Sequence, residues 1–133
     1  MIYVYAEVLK CTDRVTGENF ALKSIPKDFT SRAEFQKEID ALLHVRESGS
    51  HPNITNLIEN FDERSRFYLV MDLIQGSEMF DSLINNGPYS EADAARLIME
   101  TASAVAFLHG VGLVHADLKP GTYAVCRVSN VNV

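Results

Sequence analysis

At 133 residues the chain has the length of one ordinary domain. Its 47% hydrophobic and 23% charged content excludes a disordered chain. A net charge of −6 argues against direct binding to nucleic acid or an anionic membrane, and no apolar run approaches the roughly 20 residues of a membrane helix.

Residues 2–25 read as strand, turn, strand. Val4, Ala6 and Val8 alternate with larger or charged neighbours, as in a half-buried strand. Asp13-Arg14-Val15-Thr16-Gly17 is a turn signal, Phe20 to Ile25 resumes a strand, and Pro26 closes it. Residues 31–46 predict a helix: Ser31 and Glu34 form a capping box, and Phe35, Ile39, Leu42 and Leu43 fall on one face. Ser48-Gly49-Ser50 and His51-Pro52 break it. Residues 54–63 and 66–73 suit two more strands, the second nearly all apolar and therefore central in a sheet. Gln75-Gly76-Ser77 is a short connector and a lobe boundary. Glu78 to Asn85 predicts a short helix, stopped by Asn86-Gly87-Pro88. Ser90 with Asp93 caps a longer one that runs to about His109, with Gly110 as its C-terminal cap. Its main stripe is Ala94, Leu97, Ile98, Val105 and Leu108; Ala95, Met99, Ala102, Ala104 and Phe107 add apolar character on other sides. Such a helix is expected to be surrounded by other elements.

Cys11 and Cys126 make no metal-ligand spacing; two free thiols in a reducing compartment fit better than one disulfide. Nor do the four histidines have zinc spacing. Met1 to Tyr5 lacks the basic start of a signal peptide, so a cytoplasmic location is expected and the sequon Asn53-Ile54-Thr55 is read as chance.

Chemistry concentrates in four places. Lys23 sits inside an apolar strand, where its ammonium needs a partner. Glu38 lies at the margin of the apolar face of the 31–46 helix and points toward whatever that helix packs on. A Lys23–Glu38 ion pair would satisfy both and aim the ammonium at a phosphate. Val70-Met71-Asp72-Leu73, followed by Gly76 and Glu78, is the third. The fourth is His115-Ala116-Asp117-Leu118-Lys119-Pro120. There a carboxylate can orient a hydroxyl and accept its proton, and an ammonium two residues on can neutralise the phosphate being moved. The plainer alternatives are a surface ion pair for Lys23 and Glu38 and a turn cap for Asp117.

In order and spacing these features resemble a eukaryotic protein kinase domain over residues 4–120. The resemblance implies an α+β fold: a small lobe of antiparallel strands plus one helix (1–72), a hinge (73–77), the first helices of an incomplete large lobe (78–120) and an unrelated tail (121–133). It also implies ATP and Mg2+ as cofactors, a protein substrate, and no nucleic-acid or membrane partner. Lys23 would contact the nucleotide phosphates with Glu38 as its partner. Val8 and Ala21 would sandwich the adenine, and Met71 would stand at the back of its pocket. Asp72, Leu73 and Ile74 would form the hinge, and Glu78 would reach the ribose. Leu42, Leu57 and His115 match a packed hydrophobic spine. Asp117 would be the catalytic base and Lys119 the phosphate-neutralising residue, the latter typical of serine/threonine kinases. Thr16 to Lys23 and Gly76 to Asp81 are similar in style to the calcium/calmodulin-dependent group.

The sequence departs from the pattern at both ends. The three glycine positions of the phosphate loop fall on Met1, Tyr3 and Ala6, where a Cβ obstructs the approach of backbone N–H groups to phosphate. Ala116 stands where an arginine would pair with a phosphorylated activation loop. Thr122 replaces an asparagine that ligates magnesium, and residues 121–133 contain no acid to supply the second metal ligand. The expectation is an ATP-site scaffold without useful turnover. Two alternatives stay open: a non-catalytic binding module, able to dock on another kinase domain through the helix bearing Glu38, and a gene-model fragment without a function of its own.

Overall fold

Two apolar strands, Asn19–Pro26 (β2) and Arg66–Asp72 (β4), occupy the middle of a four-stranded antiparallel sheet, flanked by Glu7–Thr12 (β1) and Leu57–Asp62 (β3) in the order β1-β2-β4-β3. The computed structural model describes residues 6–74, 76–116 and 118, and the backbone of 124–125. The β1–β2 hairpin closes on Asp13. Its carboxylate accepts from the N–H groups of Val15 (2.7 Å) and Thr16 (2.8 Å), and Gly17 takes the left-handed conformation (φ 77°) the turn requires. Those same N–H bonds, Thr16 first, hold the Asp13 carboxyl below its ordinary value.

The helix Arg32–Glu47 (α1) starts where the sequence places it. Ser31 Oγ accepts from Glu34 N–H, and the Glu34 carboxylate accepts from Ser31 N–H (2.9 Å) and Ser31 Oγ–H (2.9 Å). The Ser31 N–H bond, followed by the hydroxyl bond, lowers the Glu34 carboxyl below its ordinary value. A lowered folded-state value means that this contribution is present above the unfolded value and is lost as pH falls through the folded one. Fraying of the first turn of α1 is therefore expected on acidification through and below the ordinary glutamate range. Amide exchange at Glu34 and Phe35 reads it, and Glu34→Gln should flatten the response.

α1 packs on one face of the sheet. Ile25, Phe67, Leu69 and Leu57 meet Phe35 and Ile39 in a core that Leu42, Leu43 and Met71 border. Phe35 stacks on Phe67 with ring centroids 4.2 Å apart. At the rim, Lys27 pairs with Asp62 and stands over the Phe67 ring; that bond depresses the Asp62 carboxyl.

After β4 the chain forms a two-residue strand, Ser77–Glu78 (β5), then the helices Met79–Asn86 (α2) and Glu91–Gly110 (α3). Ser90 caps α3 through Asp93 N–H. Ala124–Val125 (β6) pairs antiparallel with β5, Ser77 opposite Val125 and Glu78 opposite Ala124.

The structure corrects several expectations. β3 begins at Leu57 rather than residue 54, because Ile54 N–H turns back to the His51 carbonyl and Asn56 bonds to Asp72. Gly110 is the last residue of α3, not its cap; Val111 closes the helix and Gly112 takes the left-handed conformation (φ 79°). α3 is not surrounded: none of its residues is fully buried, and Ile98 and Met99 are 70% and 66% exposed. The glycine-loop positions Met1 and Tyr3, the connector residue Gln75, Thr122 and Cys126 lie outside the described residues. Cys11 is a free thiol.

Candidate nucleotide site

Strand register gathers the candidate residues. Val8 lies opposite Lys23 and Lys10 opposite Ala21 across β1–β2; Ala21 lies opposite Met71 and Lys23 opposite Leu69 across β2–β4. Directly opposed residues share a face, so Val8, Ala21, Lys23 and Met71 all lie on the face that carries α1. Along this face Ala21 is 9% exposed and Val8 is 64% exposed.

Glu38 reaches Lys23 from α1: Nζ donates to Oε1 at 2.8 Å, and each side chain is 20% exposed. The second carboxylate oxygen of Glu38 is buried and has no hydrogen-bond partner among the described residues. Both groups therefore sit where the sequence placed them: a lysine that could not stay unpaired in an apolar strand, and a glutamate on the inner margin of a helix.

The segment leaving β4 is held from β3. The Asp72 carboxylate accepts from Asn56 N–H (3.0 Å) and Asn56 Nδ2 (2.8 Å), and Asp72 N–H donates to the Asn56 carbonyl (3.2 Å). The Asp72 side chain is thus taken up in fixing the backbone. Among the described residues, the backbone groups of Leu73 and Ile74 have no hydrogen-bond partner. An apolar strip of strand residues beside an ammonium braced by a carboxylate has the chemistry to hold a nucleotide. When bound, ATP would supply the transferable phosphoryl group.

Other candidates stand apart. Glu78 belongs to β5 with its backbone opposite Ala124; its side chain is outside the described residues. So are Asp117 and Lys119. Between them Leu118 is 49% exposed, and Ala116 just before them has a left-handed backbone, φ 59°. No three His, Cys, Asp or Glu side chains converge on a metal site among the described residues.

A cavity of about 750 Å³ stands away from the Lys23 face. It lies between α1 and α3, lined by Leu42, Val45, Ile54, Leu97, Val105 and Leu108 among others. Asp72 and Ile74 reach its edge; Val8, Ala21 and Lys23 do not. The ion pair and the register, rather than this cavity, distinguish the Lys23 face.

Sequence reasoning missed two side chains that join α1 and its connector to α3. His44 Nε2 lies 2.9 Å from the Val111 carbonyl, and His51 Nε2 lies 3.0 Å from Ser103 Oγ. Neither pairing has a sequence spacing that could have announced it.

The family model of the protein kinase domain matches residues 4–122. Serine/threonine-protein kinase DCLK2 of Rattus norvegicus is 37% identical over 125 residues, 92% of this chain and 16% of that protein. Myosin light chain kinase A of Dictyostelium discoideum is 41% identical over 108 residues, 81% of this chain and 36% of that protein. Serine/threonine-protein kinase DCLK1 of Rattus norvegicus is 38% identical over 118 residues, covering 87% and 26% respectively. The chain thus spans roughly a sixth to a third of the length of these relatives.

Proposed function

The chain belongs to the protein kinase domain family, and from that premise we propose that it is a nucleotide-site scaffold of a serine/threonine kinase domain that holds ATP weakly and does not turn it over. The observation that carries this reading is the Lys23–Glu38 ion pair, on the same sheet face as Ala21 and Met71. A braced ammonium beside an apolar strip is suited to a polyphosphate.

In the parent chemistry Asp117 accepts the proton of a serine or threonine hydroxyl, and Lys119 neutralises the phosphoryl group as it leaves ATP. Lys23 and Glu38 orient the nucleotide phosphates. Ala21, Val8 and Met71 enclose the adenine, the backbone at Leu73 and Ile74 bonds its edge, and Glu78 serves the ribose. Phosphoryl transfer depends on positioning and charge neutralisation. Met1, Tyr3 and Ala6 at the glycine positions and Thr122 at the metal position weaken both. Each loss of about 1.4 kcal/mol of transition-state stabilisation costs about tenfold in rate.

Titrating ATP while following amide shifts should give a dissociation constant near 1 mM, about −4 kcal/mol, with shifts centred on Ala21, Lys23 and Ile74. Transfer of labelled phosphate to a protein acceptor should be absent with Mg2+ present. Transfer that disappears in Asp117→Asn would overturn the inactive reading and restore the enzyme. Absence of nucleotide shifts at any concentration would overturn the nucleotide site and favour a non-catalytic binding module.

A further inference from the structure

The groove between α1 and α3 has apolar walls and an open rim. Leu42 and Val45 of α1 stand on one side, and Leu97, Val105 and Leu108 of α3 on the other, around about 750 Å³. Three apolar residues that line it are exposed: Ile74 by 43%, Val114 by 75% and Leu118 by 49%. None of the residues of α3 is fully buried. Two polar contacts bridge α1 and its connector to α3, His44 to the Val111 carbonyl and His51 to Ser103. Aliphatic side chains that face a void lack partner atoms on that side, so walls of this extent gain from an apolar occupant.

The chain itself comes to this rim twice. Leu118 lines the groove. Farther on, β6 pairs with β5, Glu78 opposite Ala124 and Ser77 opposite Val125. The two strands are antiparallel, so the chain leaves Val125 on the side of Gly76 and Ile74, and Ile74 lines the groove. Eight residues of the sequence follow β6, Cys126-Arg127-Val128-Ser129-Asn130-Val131-Asn132-Val133. Fully extended, eight residues reach about 26 Å. The α3 wall from Leu97 to Leu108 is about 17 Å long, so the segment can run its whole length. Its character also matches. Val128, Val131 and Val133 are apolar, and Arg127 is its one charged side chain. Apart from histidines, the ionisable side chains lining the groove are Asp72, Arg96 and Glu100, two acids to one base. Arg96 already lies 3.7 Å from Glu100.

We propose that residues 126–133 lie in the α1–α3 groove as an apolar plug, Val128 and Val131 supplying the apolar contacts and Arg127 the charge that answers the acids. Ala41 and Leu42, which line the groove, stand one turn beyond Glu38 on α1. The plug therefore braces the helix that carries the partner of Lys23. The inference holds whether or not the chain binds nucleotide.

The test uses the whole 133-residue chain with a nitroxide at a single cysteine, Ser129→Cys in a Cys11→Ser, Cys126→Ser background, which removes both native thiols. The amides of Leu42, Val45, Leu97 and Leu108 should broaden and should recover when the nitroxide is reduced. The amide of Arg64, in the turn at the opposite end of β4 from Asp72, should not broaden. A mixture of spin-labelled, unenriched chain with isotope-enriched chain lacking the label should show no broadening in the groove. Broadening there would put a second copy in the groove and overturn the plug, and so would the absence of groove broadening in the labelled chain itself. The double variant Val128→Asp, Val131→Asp gives an independent reading. Amide exchange at Leu97, Val105 and Leu108 should become about tenfold faster, since burying one valine is worth at least that factor. Unchanged exchange at Phe67 and Leu69 reports that the sheet core is intact. Unchanged exchange along α3 would overturn the plug.

Discussion

Truncation of Phe67 to alanine is expected to lower the stability of the chain by about 3–5 kcal/mol, the cost of removing a fully buried aromatic side chain. Phe67 is 2% exposed and sits in β4 opposite Ile25. Its ring is stacked on Phe35 of α1, and the Lys27 ammonium lies 4.7 Å from its centroid. It therefore joins sheet, helix and rim at one point, and the void left behind has walls on each of them. The surrounding side chains, Ile25, Leu57, Leu69 and Ile39, are already packed and cannot close the space without moving α1. Domains of this size are stable by about 5–15 kcal/mol, so the loss takes much of the total. Urea unfolding should show the midpoint falling well below that of the wild type. Val15→Ala, at a site 94% exposed, serves as control and should stay within about 0.5 kcal/mol. Equal midpoints for the two variants would mean that α1 and the sheet do not form the core described.

What could be read in the sequence was what is encoded locally or periodically. The capping box of Ser31 and Glu34 lies within one helical turn, and Phe35, Ile39 and Leu42 repeat at helical spacing, so α1 could be bounded to within a residue. The Asp13 to Gly17 turn carried its own chemistry in an aspartate and a glycine. Lys23 and Glu38 were legible for a different reason: each was out of place alone, and each supplied what the other lacked. The failures share a cause as well. β5 and β6 have two residues each, too few for any alternation to show. The late start of β3 depends on Asn56 bonding to Asp72, sixteen positions away in the chain. The apolar circumference of α3 suggested a helix enclosed on all sides, but composition cannot say which neighbours are present, and Ile98 and Met99 stand exposed. The histidine contacts to Ser103 and Val111 exist only once α1 and α3 have been brought together.

Replacing Lys23 by methionine should remove nucleotide binding and also destabilise the chain, by about 1–3 kcal/mol. The second effect comes from Glu38, not from the lysine. One Glu38 oxygen is bonded to Lys23 and the other is buried without a partner among the described residues. Methionine would leave the whole carboxylate uncompensated in a site where its side chain is only 20% exposed. That remaining exposure lets some water in and keeps the cost below that of breaking a fully buried ion pair. Glu38→Gln should be milder, because the neutral amide still offers Lys23 an acceptor and brings no buried charge. The double variant Lys23→Met, Glu38→Gln should recover part of the stability lost in Lys23→Met alone, a coupling of about 0.5–3 kcal/mol measured from the three urea midpoints. Its nucleotide affinity should not recover at all, since the ammonium that would meet the phosphates is still absent. Stability regained without binding would separate two roles of one ion pair: Glu38 sets the cost of the site, and Lys23 gives it a ligand. Strict additivity of the two substitutions would instead mean that the pair is a surface contact and that α1 is positioned by Phe35 and Ile39 alone.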